Sequence, residues 1–67
     1  MSRSVMITGG ASGIGRALAR RLAERGDRLT LADIDAEGLA AVQAELAPLA
    51  QAQGGDVSAV VLDVRNG

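Results

Sequence analysis

Four glycines fall within seven residues at Gly9, Gly10, Gly13 and Gly15, inside the stretch Ile7-Thr8-Gly9-Gly10-Ala11-Ser12-Gly13-Ile14-Gly15-Arg16. Glycine loses more conformational freedom on folding than any other residue, so a cluster of this density is poorly explained by packing alone. A turn that brings backbone against a phosphate explains it. Gly9 would end a strand in a tight reversal, Gly13 would let the chain approach a pyrophosphate, and Gly15 would let the following helix pack closely. The anion would sit on the free amides at the helix N-terminus. A metal-assisted phosphate loop is the nearest rival, because Gly10 and Gly15 bracket four residues. It fails at the next two positions, where Arg16 and Ala17 replace the required lysine and hydroxyl.

The flanking segments supply the elements such a turn needs. Ser4-Val5-Met6-Ile7-Thr8 is a short apolar run that reads as a first strand buried on both faces of a parallel sheet. A helix beginning at Ser12 or Gly13 carries Ile14, Leu18 and Leu22 as its core stripe, with Ala17, Ala19 and Ala23 beside them, and ends at Gly26 as a left-handed cap. Arg28–Asp33 reads as a second strand that stops at an acidic residue. Asp35 is a suitable cap for a second helix from about Ala36, with Leu39, Val42, Leu46 and Leu49 as its apolar positions. Gly38 weakens the first turn of that helix, and Pro48 is expected to end or kink it near Leu46 or Ala47. After a polar glycine-rich loop, Val57–Val64 reads as a third strand. Alternation of strands and helices predicts a parallel sheet with right-handed crossovers and both helices on one face.

That architecture is α/β, a βαβαβ half of a doubly wound parallel sheet with three strands and two helices. Residues 1–67 are read as one segment. The uncovered sheet face and the free edge of the first strand suggest contact with another copy.

Composition excludes several classes of function. The chain has 67 residues, no cysteine and no histidine, so neither a disulfide framework nor a zinc site is expected. Its basic residues are all arginine, and the net charge is −1, so no basic field points to nucleic acid or to an anionic membrane. No apolar stretch approaches membrane-spanning length. A cytoplasmic protein is the expectation. The aromatic content is zero, which removes tyrosine as a proton donor.

The spacing Thr8-Gly9-x-x-x-Gly13-x-Gly15 resembles the cofactor turn of the short-chain dehydrogenase/reductase family. The resemblance implies a Rossmann-like fold and an NAD(P)-dependent oxidoreductase that moves hydride between a nicotinamide cofactor and an alcohol or carbonyl. It implies that Thr8, Gly9, Ser12, Gly13, Ile14 and Gly15 hold the cofactor, and that Asp33 takes the place of the carboxylate that binds the adenosine ribose in NAD-preferring members. Asp63-Val64 is similar to the family's Asp-Val pair, whose Asp side chain and following backbone contact adenine. Asp33 favours NAD over NADP, because a 2′-phosphate would bring a second negative group beside it.

Plainer roles stand beside these. Asp33 also suits a local cap or a solvated strand end, Asp63 strand-end polarity, Thr8 simple strand preference, and Arg16 a surface contact. The family's catalytic Tyr-x-x-x-Lys pair, with its serine, has no counterpart in a chain without tyrosine or lysine, so no catalytic residue is assigned. The chain is therefore expected to be the cofactor-binding opening of a truncated family member, inactive alone. The alternatives are a non-catalytic nucleotide-binding module and an oligomerising interaction fragment.

Overall fold

The computed structural model describes residues 3–62. The elements are β1 Ser4–Thr8, α1 Gly13–Glu24, β2 Arg28–Asp33, α2 Ala36–Ala52 and β3 Asp56–Val61. All three strands are parallel in the order β1-β2-β3, with Val5 opposite Leu29 and Leu29 opposite Val57. α1 packs on β1 and β2, α2 packs on β2 and β3, and the helices touch each other. Both therefore cover one face, as right-handed crossovers require. The result is a Rossmann-like βαβαβ arrangement. β3 starts one residue earlier than the apolar run suggests, and the predicted Asp63-Val64 end of that strand lies outside the described residues.

The core sits between sheet and helices and contains Ile7, Ala19, Leu22, Ala23, Leu29, Leu31, Leu39, Val42, Leu46, Ala50 and Val57. The apolar positions of α2 are placed as their spacing predicts, with Leu39, Val42 and Leu46 buried and Leu49 partly so. Those of α1 are so only at Leu22, which is buried. Ile14 is 88% exposed and Leu18 49%, and the buried residues are Gly15, Ala19, Leu22 and Ala23. An i, i+4, i+8 row drifts about 80° around the axis over its length, so Ile14 and Leu22 cannot both face the sheet squarely. The small residues win because Gly15, Ala19 and Ala23 allow close approach to the sheet and to α2, which leaves Ile14 and Leu18 on the outer flank.

Pro48 does not end α2, which continues through it to Ala52. Proline removes one helical N–H, which would have served the carbonyl of Ala44, and normally costs about 3 kcal/mol in a helix interior. Buried Leu46 and Ala50 bracket it and anchor the last turns to the core. The carbonyl of Ala50 then accepts the amides of Gln53 at 3.0 Å and Gly55 at 2.8 Å, which closes the helix after the proline rather than before it. At the other helix ends the expected caps form. Asp35 Oδ1 accepts the Gly38 amide at 3.0 Å, and Gly26 follows α1 with φ +83°.

The face away from the helices is more mixed than the strand sequences imply. Strand alternation places Met6, Thr30, Ser58 and Val60 there. Only its end near the strand C-termini is mainly apolar.

Candidate functional site

β1 runs into the glycine turn, and the first fact about that turn is where its amides go. Gly9 has φ +72°, a conformation that glycine reaches without strain, and it turns the chain so that its amide and that of Gly10 both meet the carbonyl of Ala32, at 2.7 and 3.2 Å. The Ala11 amide donates to Asp33 Oδ2 at 3.0 Å. The Ser12 amide returns to the Gly9 carbonyl at 3.0 Å, and the Ser12 hydroxyl donates to the same oxygen at 2.7 Å. That hydroxyl in turn accepts the Gly15 amide at 3.2 Å, so Ser12 is the N-cap of α1.

Two amides remain. Among the described residues, Gly13 and Ile14 have no acceptor for their N–H groups. Both lie in the first turn of α1, where the helix dipole adds partial positive charge, and nothing stands within 4 Å of the position a Gly13 Cβ would occupy. Gly15 is held in the opposite way. A Cβ there would lie 2.2 Å from the Gly9 carbonyl oxygen, so the start of α1 is seated directly on the reversal.

Asp33 ends β2 beside this turn. Besides the Ala11 amide, it accepts the Asp35 amide at Oδ1, 3.2 Å away, and its backbone carbonyl accepts the Leu62 amide at 2.9 Å. The Asp35 amide first and the Ala11 amide second hold its carboxyl below the usual carboxylate range. It is therefore ionised at neutral pH and ties together β1's turn and the entry to α2.

A group whose folded pKa is depressed stabilises the fold above its unfolded pKa and loses that contribution as pH falls through the folded value. The stability of the chain is thus expected to be flat between pH 7 and about pH 5 and to fall below about pH 4. Asp56, lowered first by the Gln51 side chain and then by the Val57 amide, shares this window. Urea denaturation at a series of pH values on the parent and on Asp33→Asn checks the assignment. The gap between the two should close as the pH falls, and a gap independent of pH would contradict it.

A cleft of about 260 Å³ opens at the C-terminal ends of the strands, lined by Thr8, Gly9, Ala32, Asp33, Ile34 and Leu62. This is where open parallel sheets place their ligands. The structure thus brings Thr8, Gly9 and Asp33 to one cleft, with Ser12, Gly13, Ile14 and Gly15 on the adjoining helix start. Asp63 and Val64 lie outside the described residues. Ile34 and Leu62 were not singled out by the sequence reading. Both are exposed apolar residues just beyond a strand, and their position after the strand ends is the signal that could have found them.

A larger depression of about 440 Å³ lies on the outside of α1 at Leu18, Arg21, Leu22, Glu24 and Arg25. It contains no turn amide and no strand-end carboxylate. Arg16, next to the turn, pairs with Glu45 of α2. No cluster of potential metal ligands occurs among the described residues.

Three parallel strands, two helices on one face and a glycine turn between β1 and α1 define a Rossmann-like unit. The family model for short chain dehydrogenases matches residues 3–67, and the chain belongs to that family. Levodione reductase of Leifsonia aquatica is 50% identical over 62 residues, which cover 92% of this chain and 22% of the relative. The crystal structure of a levodione reductase aligns with a TM-score of 0.80 at 47% identity, over 92% of this chain and 23% of that one. A short chain dehydrogenase/reductase of Burkholderia phymatum, solved in complex with NAD, aligns at 0.79 with 40% identity, over 97% of this chain and 22% of that one. A short-chain dehydrogenase of Sphingobium yanoikuyae, solved with NADPH, aligns at 0.77 with 39% identity, over 92% and 23%. The chain spans about a fifth of the length of the curated relatives it matches.

Proposed function

We propose that these residues form the ADP-ribose-holding part of a nicotinamide-dinucleotide oxidoreductase, with NAD preferred over NADP. The observation that carries this reading is the distribution of amides in the turn. Gly9, Gly10, Ala11, Ser12 and Gly15 spend theirs on the protein, and Gly13 and Ile14 keep theirs for an anion. A pyrophosphate on those two amides would leave the adenosine end in the cleft, with Asp33 at the ribose and Ile34 and Leu62 as apolar walls for the base. Thr8 and Gly9 line the strand end, Ser12 and Gly15 shape the helix start, and Asp63-Val64 would close the base site as the family resemblance implies.

Neighbours solved with NAD and with NADPH both occur, so the family alone does not select the cofactor. Asp33 supports the selection. Its ionised carboxylate can accept from a ribose hydroxyl but repels a 2′-phosphate. Arg16, the cation nearest in sequence to the turn, is already paired with Glu45.

When bound, the nicotinamide of such a cofactor accepts or gives hydride. This chain binds and orients the other half of the molecule. Proton transfer to an alcohol or carbonyl needs a positioned acid, and a chain without tyrosine or lysine lacks the pair used in the resembling family, so we assign that step to residues outside these 67. The cytoplasm is the proposed location, on the cysteine-free composition.

Calorimetric titration of the chain with NAD, ADP-ribose and NADP tests the reading. NAD and ADP-ribose should bind alike, and NADP at least tenfold more weakly. No heat from ADP-ribose at millimolar concentration would overturn the proposal.

A further inference from the structure

The first turn of α2 contains a glycine for which helix propensity offers no reason. Gly38 sits three residues after the cap, where alanine would favour the helix. The space around it gives the reason. A Cβ built on Gly38 would lie 2.9 Å from the Ala11 Cβ and 2.5 Å from Asp35 Oδ2. Asp35 Cγ would also stand 2.9 Å away, but the Asp35 side chain is exposed and can give by turning about its own bonds. Ala11 cannot give in that way, because its Cβ is fixed to the turn backbone, whose amides are bonded to Ala32 and Asp33.

We infer that Gly38 is a positioning residue for the phosphate-binding turn, and that α2 takes part in the cofactor site as a brace. Three links form the brace. Asp33 Oδ2 holds the Ala11 amide, Asp33 Oδ1 holds the Asp35 amide at the head of α2, and Asp35 Oδ1 holds the Gly38 amide. The bare face of Gly38 then lets α2 rest against Ala11. The turn is thereby pressed from the α2 side while Gly15 seats it from the α1 side, and the Gly13 and Ile14 amides are fixed between the two contacts. A side chain at position 38 would push Ala11 away from Asp33 and re-aim those amides. This inference rests on the cofactor reading for its effect on affinity, but the brace itself is a property of the ligand-free chain.

The test uses Gly38→Ala and the double variant Ala11→Gly with Gly38→Ala, which removes the methyl group that the new Cβ would strike. Amide hydrogen exchange at Ala11 is measured without ligand, and ADP-ribose affinity by calorimetry. Gly38→Ala should speed Ala11 exchange at least tenfold and weaken ADP-ribose binding at least tenfold. The double variant should return affinity to within about threefold of the parent.

Unchanged Ala11 exchange and affinity in Gly38→Ala would overturn the inference, and so would a double variant no better than the single one. Should the single variant lose its helical circular dichroism, a double variant that folds and binds supports the brace, and one that stays unfolded defeats it. A parent chain that binds no ADP-ribose would instead defeat the cofactor reading, and the brace would then stand or fall on Ala11 exchange alone.

Discussion

Gly15→Ala is expected to lower ADP-ribose affinity at least about 100-fold and to destabilise the chain by about 1–3 kcal/mol. The new Cβ would stand 2.2 Å from the Gly9 carbonyl oxygen and 3.0 Å from its carbonyl carbon. Gly9 has nowhere to move. Its amide is bonded to Ala32 at 2.7 Å, its carbonyl accepts both the amide and the hydroxyl of Ser12, and its φ of +72° is already that of the reversal. The start of α1 must therefore lift off the turn, and it carries the Gly13 and Ile14 amides with it. Hydrogen bonds to a charged group contribute about 1.5–3 kcal/mol each, and 1.4 kcal/mol is a factor of ten. Misaligning two of them accounts for the expected loss. Calorimetry with ADP-ribose, alongside urea denaturation, reads both effects. Affinity within threefold of the parent would show that the two amides do not hold the anion.

How much of this was legible beforehand follows from what each residue has to satisfy. The strands and the turn were legible because their signals are local. An apolar run followed by Thr8-Gly9-Gly10 has one sterically easy outcome, and Asp35 at the head of an apolar-periodic segment has another. The stripe of α1 is legible at Leu22 but not at Ile14 and Leu18, because hydrophobicity favours those two whereas the packing distance favours Gly15, Ala19 and Ala23. Distance between elements is not a local quantity. That the helix does not end at Pro48 has a related reason. The local rule sees the missing N–H, and the core contacts of Leu46 and Ala50 on either side of it appear only once α2 lies on the sheet.

The site shows the same division. The residue types of the turn name a phosphate, but a sequence does not show which amides are consumed by the protein. Gly9, Gly10 and Ala11 find their acceptors on Ala32 and Asp33, more than twenty positions away, and only that pairing isolates Gly13 and Ile14. The same holds for Gly38. In the sequence it is a weak point of a helix, and in the structure it is the surface on which the turn rests. Asp33 likewise gains a second task, because the carboxylate proposed to read the ribose is also the one that holds the turn in shape.

Leu31→Ala is expected to remove about 2–5 kcal/mol of stability, the range for emptying a fully buried leucine site. Leu31 is the middle of the central strand, is 0% exposed, and lies against the turn as well as the helices: a Cβ on Gly10 would come within 2.8 Å of its own Cβ. A chain of this length has a total stability of only about 3–10 kcal/mol, so the loss is a large fraction of the whole. Ile14→Ala provides the contrast. Ile14 is the more conspicuous hydrophobic residue in the sequence, yet at 88% exposure its truncation should change stability by no more than about 0.5 kcal/mol. Urea denaturation followed by far-ultraviolet circular dichroism measures both. If Ile14→Ala cost as much as Leu31→Ala, α1 would have to face the sheet with its Ile14–Leu18 flank. Gly15 would then be turned away from Gly9, and the seating that isolates the two free amides would not exist. The pair of variants therefore tests the core and, through it, the geometry on which the phosphate site depends.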